Sequence, residues 1–231
     1  MSSAPGISLS STTRSRRLEH LGKPFVIGAL GGLAVLAVAG VGWRLSSYPF
    51  GYFTRDPAAT THQAPYLGMV SFFGLFAWAV AATALLCGGY VASLRGASDR
   101  RTALFTGAGV VVYLLFDDAF QLHEYFYPQY LHVPDTVVEL AYVAAVVLLA
   151  VRGRRFLAST NLTLLLAAGG FLALSIGLDV LIASERVIAV EDGSKLIGIF
   201  LLAAYGVDTA LAESRLTFRQ FGLSGGDPAR G

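Results

Sequence analysis

Charge is scarce in this chain. Only 14% of its 231 residues are Asp, Glu, Lys or Arg, against about 25% in a soluble globular domain. With 55% hydrophobic residues and a mean hydropathy of +0.61, that deficit excludes an ordinary water-soluble enzyme. Cysteine is rarer still. Cys87 is the sole one and sits in an apolar run, which excludes an intrachain disulfide and a thiolate metal site. HExxH, an ExxH pair and a Cys ligand set are also missing, so no standard metalloenzyme signature is present. No nucleic-acid partner is expected.

What remains is apolar sequence in long runs. A membrane-crossing helix needs about 20 mostly apolar residues, and six segments meet that description at approximately 24–43, 66–94, 102–127, 135–151, 161–183 and 188–212. The expected fold is all-α, a polytopic membrane bundle of six transmembrane helices with the lipid bilayer as its surroundings. Residues 1–23 are expected to be a disordered basic tail, 24–212 the membrane domain and 213–231 a second tail. Arg16-Arg17 ahead of an apolar run has a trace of an export signal, but Glu19 and His20 stand where that signal wants apolar residues. Gly and Ala recur in the first, second and fifth segments, as suits close helix approach.

Charge placement orients the bundle. With six spans, thirteen of the 17 basic residues fall on one side, and short Lys- and Arg-rich loops stay cytoplasmic. Both termini are therefore expected in the cytoplasm, in a plasma membrane or a bacterial inner membrane. Ten of the 15 acidic residues lie in the opposite half. The positive-inside rule does not explain that excess, because acids contribute little to topology.

The acids concentrate in "VVVYLLFDDAFQLHEYFYP", residues 110–128. Counting from Thr102, Asp117 stands about 23 Å up a regular helix, still within the bilayer. Stepping 100° per residue puts Asp117, Gln121 and Glu124 on one stripe, Asp118 on its shoulder and His123 about 120° away. A regular helix thus separates His123 from Asp118. Asp179 in the fifth segment reaches the same layer, with Ser175 one turn below it. Glu191, Asp192 and Lys195 open the sixth segment. Intramembrane ionisable residues mark functional sites by default.

Several neighbours have purely structural explanations. Thr136 and Glu139 match the capping box S/T-x-x-E. Glu191 and Lys195 form an i,i+4 pair in the favourable order. Glu185, His132 and His62 fall in loops, Asp208 near the inner interface, and the tyrosines around 125–130 in an aromatic belt. Asp117, Asp118 and Asp179 have no such local partner.

Clustered carboxylates with an imidazole suit a divalent metal such as Zn, Mn or Fe, which would generate hydroxide for hydrolysis. The leading expectation is an outward-facing, metal-dependent hydrolase acting on a lipid or amphiphile. Asp117, Asp118, His123 and Asp179 are the expected ligands, Glu124 or Glu191 the general acid or base, and Lys195 the charge partner. A proton-coupled or cation transporter is the alternative, disfavoured because polar groups are nearly absent from the cytoplasmic halves of the spans. A non-catalytic subunit of a membrane complex is the third. In residue types alone, Asp117, Asp118, His123 and Ser175, the chain resembles small membrane hydrolases of the alkaline-ceramidase and progestin-receptor-like superfamily. That superfamily has seven spans and a late HxxxH, whereas this sequence offers six and no such motif.

Overall fold

Long apolar runs can satisfy their backbone polar groups inside lipid only as helices or closed barrels, and the chain takes the helical route. A computed structural model describes residues 11–64, 66–181 and 187–222, and among them there is no strand. Five helices are long and apolar enough to cross a membrane: Val26–Leu45, Met69–Leu94, Ser98–Phe120, Leu162–Asp179 and Ile188–Gln220. The expected fourth span is helical too, over Asp135–Arg152. Its 18 residues include Asp135, Glu139 and Arg152, and it does not join that set.

The chain divides into two units at Leu67. The first holds helices α1 (Ser11–Leu45), α2 (Gly51–Thr54) and α3 (Pro57–Thr60). Helical backbone in α1 reaches back into the segment expected as a disordered tail, residues 1–10 lying outside those described. The stretch RSRRLEHL at 14–21 has no Pro or Gly to stop propagation from the apolar run. Asp56 caps α3. Its Oδ1 accepts the Ala59 N–H at 3.1 Å, with Pro57 at the first helical position.

The second unit contains α4 (Met69–Leu94), α5 (Ser98–Phe120), a wide π-type segment (Leu122–Leu131), α6 (Asp135–Arg152), α7 (Arg154–Leu157), α8 (Leu162–Leu181) and α9 (Ile188–Gln220). Packing runs in a row, α5 on α4, α4 on α9 and α9 on α8. Small residues make that row possible. The buried stripe of α4 is Gly74, Ala77, Trp78, Ala81, Ala82, Leu85, Gly88, Gly89 and Ala92, one or two per turn. On α9, a Cβ at Gly206 would stand 3.2 Å from the Ala81 carbonyl, and one at Gly198 would stand 2.8 Å from Leu172 Cγ. Dispersion between close backbones replaces the hydrophobic effect that lipid cannot supply. Gly74 lies by Ile199 and Gly88 by Ala210, so α4 and α9 run parallel. The outer face carries large apolar side chains such as Phe76, Leu140, Leu166 and Phe200, as lipid contact requires.

Three expectations about boundaries change. The third helix ends at Phe120, not near Tyr127, and Pro128 lies inside the π-type segment that follows. The Asp117 carboxylate takes the His123 N–H at 3.0 Å, and a side chain competing for that donor ends the α-helical ladder. The capping box at Thr136 and Glu139 does not form. Pro134 is the N-cap, Asp135 Oδ1 accepts the Thr136 N–H at 2.7 Å, and Glu139 is buried. Finally, α9 runs eight residues past 212 to Gln220, into the expected tail.

That extension carries Glu213, whose side chain is fully buried. Arg95 at the end of α4 pairs with its Oε2, and Arg100 at the start of α5 donates from Nε to Oε1 at 2.6 Å. Arg100 also donates to Ser159 Oγ at 3.0 Å and lies over the Phe156 ring. One carboxylate thus ties α4, α5 and α9 together at the basic end.

Candidate functional site

At the opposite, acidic end the last turns of α5 deliver Asp117 and Asp118 in different directions. Asp117 points inward and is 4% exposed. Gln121 then takes the left-handed conformation (φ 50, ψ 46), turning the chain back so that His123 returns over Asp117. Asn, Asp and similar short polar residues tolerate that region better than Gln, so the turn is held by what it enables. Asp117 Oδ1 accepts the His123 N–H, Oδ2 meets His123 Nδ1 at 2.6 Å, and the Tyr142 hydroxyl donates to Oδ1 at 2.8 Å. A buried carboxylate with three donors is satisfied rather than stranded.

Hydroxyls continue the cluster. Tyr142 meets Tyr113 at 3.0 Å, and Tyr113 meets Tyr127 at 2.7 Å. His123, Asp117, Tyr142, Tyr113 and Tyr127 therefore form one hydrogen-bonded chain across α5, the π-type segment and α6. On its other side, His123 Nε2 stands 3.6 Å from Glu124 Oε1. Burial of the ring opposes protonation, but the Asp117 hydrogen bond and charge outweigh it and raise the His123 pKa above its ordinary value. The Tyr127 phenol is pushed up to about 12, first by its hydrogen bond with Tyr113 and then by burial.

Asp118 faces the other way, over Gly74, and Lys195 from α9 donates to its Oδ1 at 2.5 Å. This pair replaces the expected Glu191–Lys195 contact. A carboxylate and an ammonium from facing helices neutralise each other where lipid makes lone charge costly. Glu139 is buried on α6 and Asp179 is exposed at the end of α8. Glu191 is half-buried at the start of α9. Glu185 lies outside the described residues.

The expected ligand quartet is thus divided: Asp117 is paired with His123 and Asp118 with Lys195, while Asp179 stands apart from both pairs. Among the described residues, no group of three or more His, Cys, Asp or Glu side chains converges as a metal ligand set. His123, placed on a separate face by regular helical angles, proves to be the closest partner of Asp117, while Gln121 and Glu124 are exposed rather than continuing a buried stripe. The tyrosine chain is not evident from the sequence, where Tyr127 falls among the belt aromatics. The i,i+4 spacing of Tyr113 and Asp117 was the available signal.

Five helices of membrane-crossing length and composition define a multi-pass membrane protein, and four of them belong to the second unit, which carries the buried carboxylate–imidazole–tyrosine cluster. The chain belongs to the family described as Domain of unknown function (DUF8692), which matches residues 29–209. That range takes in the whole acidic-end cluster and stops short of Glu213. Neither a curated protein nor a solved structure matches the chain.

Proposed function

We propose that the chain is a six-span protein of a plasma or inner membrane, with α6 as its additional span, the basic end and both termini cytoplasmic, and the acidic end outward. We assign the Asp117–His123 pair as the acid–base centre of a membrane enzyme that hydrolyses an ester- or amide-linked lipid or amphiphile. The observation that carries the reading is the 2.6 Å contact of Asp117 Oδ2 with His123 Nδ1, which fixes the imidazole and leaves Nε2 for proton transfer. A carboxylate that orients a histidine and stabilises its cation is the arrangement acyl-transfer chemistry uses.

The division of labour follows from the charges. His123, held protonated by Asp117, is the acid. Glu124, 3.6 Å from Nε2, is the base. Glu124 takes a proton from water as the water oxygen bonds to the acyl carbon. The bond to the leaving group breaks, and that group takes the Nε2 proton. Lys195, steadied by Asp118, lies within electrostatic range of His123 and offsets the negative charge that develops on the acyl oxygen. Glu191 opens the same helix one turn before Lys195. The hydrogen-bonded chain stays at the acidic end, supporting a one-sided site over a transport path.

A second reading has its own support. A histidine whose Nδ1 is buttressed by a carboxylate is the form that metal-ligating histidines take, and Nε2 beside Glu124 offers two donors to a divalent Zn, Mn or Fe ion. Such an ion would activate water at the same place.

The test is turnover of fluorogenic ester and amide amphiphiles by the nanodisc-reconstituted protein, with and without chelator. His123→Ala and Asp117→Asn should each reduce kcat by about 100-fold or more. No turnover above empty nanodiscs sinks the enzyme reading. Loss of turnover on chelation alone transfers the chemistry to the metal. Proton flux into liposomes that vanishes with Asp117→Asn would favour a carrier.

A further inference from the structure

Asp208 takes no part in either ionic cluster. It lies on α9, five residues before Glu213 and so about 8 Å along the axis from the Arg95–Glu213 pair, towards the middle of the bilayer. Among the residues whose side chains are described, none forms an ion pair or hydrogen bond with its carboxylate. Its surroundings are apolar. A groove of about 530 Å³ runs between α4 and α9, lined by Phe73, Phe76 and Val80 on one side and Phe200, Val207 and Leu211 on the other, with Asp208 the one acidic residue in its wall. The volume falls in the range of small-molecule sites. The groove is on the lipid-facing side, where Phe76 is 65% and Phe200 50% exposed.

A lone carboxylate in such a wall is costly unless it meets a cation. The groove rises from Asp208 towards the Phe73 and Phe200 rings, nearer the acidic end, by about 17 Å between Leu211 and Phe200. The charged end is therefore closest to the basic-side interface, and the apolar length extends towards the bilayer centre. A leaflet amphiphile has that polarity, with its head near the interface and its tail inward.

We propose that the α4–α9 groove binds an amphiphilic amine from the basic-side leaflet, its ammonium on Asp208 and its hydrocarbon chain along Val207, Phe200 and Phe73. This site lies at the other end of the membrane from the acid–base centre and stands whether or not that centre is catalytic.

The test uses dodecylamine, with dodecanol and dodecanoate as chain-matched controls, added to the protein in nanodiscs. Saturable binding is read against empty nanodiscs by displacement of an environment-sensitive fluorophore. Dodecylamine should bind at least 10-fold more tightly than dodecanol, and D208N should abolish that preference while leaving dodecanol unchanged. Ala204→Phe, which fills the groove from an exposed position, should weaken both. Equal binding of amine and alcohol by the wild type overturns the proposal, as does an amine preference that survives D208N. Should D208N fail to reconstitute, the wild-type preference and the weakening of both ligands in Ala204→Phe decide the matter, and unchanged binding in Ala204→Phe overturns the proposal. Loss of turnover at His123 leaves this readout untouched.

Discussion

Replacing Glu213 with Ala is the sharpest available perturbation. In the native protein one fully buried carboxylate faces two guanidinium groups, with the Arg95 side chain 10% and the Arg100 side chain 25% exposed. The variant leaves both cations without their counter-ion, and Arg95 has little route to water. Breaking a buried pair by deleting one partner costs about 3–5 kcal/mol, far more than the pair contributes relative to an apolar replacement. At roughly 2–4 °C per kcal/mol for a chain of this size, the apparent Tm in detergent should fall by about 6–20 °C. Replacing all three residues with apolar ones of similar volume (Glu213→Leu, Arg95→Met, Arg100→Leu) should recover much of that loss, because the uncompensated charge disappears with its partner. The assay is thermal unfolding followed by tryptophan fluorescence and by retention of the monodisperse peak. A Glu213→Ala variant within about 1 kcal/mol of wild type would place the pair in the class of exposed ion pairs and refute the reasoning.

The remaining predictions concern the acidic end and the helix row. The folded His123 pKa lies above its unfolded value, so its pairing with Asp117 contributes stability that is complete below the ordinary histidine pKa of about 6.5. That contribution is lost as pH rises through the raised folded value. The Tm gap between wild type and His123→Gln should therefore shrink on going alkaline, and a gap that widens would reverse the assignment. Tyr142→Phe removes the hydroxyl between Asp117 and Tyr113 and should destabilise by about 1–3 kcal/mol, measured by thermal unfolding, while shifting the His123 titration in an NMR pH series. Gly198→Val puts side-chain atoms where Leu172 already stands, its backbone N included at 3.0 Å from the new Cβ. It should cost about 1–3 kcal/mol, and cross-linking between α8 and α9 should report their separation.

The acidic layer is largely legible in the sequence alone. Asp117, Asp118, Asp179 and Lys195 stood out because lipid makes each of them expensive, and expense reads directly from position in an apolar run. The pairing within the layer was not legible. Helical angles placed His123 away from Asp117 because they assume the helix continues, and it stops at Phe120. Nothing local in Gln121 announces a left-handed residue. Glu139 misled for the opposite reason: Thr136 and Glu139 have the spacing of a cap, but Asp135 captured the Thr136 N–H first. Glu213 was assigned to a tail because hydropathy falls after residue 212, yet it continues the stripe Ser194, Gly198, Gly206 and Thr209 on the buried face of α9.

By itself the sequence determined that this chain is helical and built for a membrane, and that its charges divide between two ends. Apolar runs of sufficient length leave the backbone no other way to satisfy its polar groups, and that constraint acts through composition alone. Tertiary structure decided which charges meet. Asp117 took His123 through a helix break, Asp118 took Lys195 from a helix more than seventy residues away, and Glu213 took two arginines from α4 and α5. Partnership depends on rotations and separations of helices, set by where Gly and Ala allow backbones to close together, and no local rule carries that information. The Asp208 groove exists for the same reason: it lies on the lipid side between α4 and α9, which touch at their small residues.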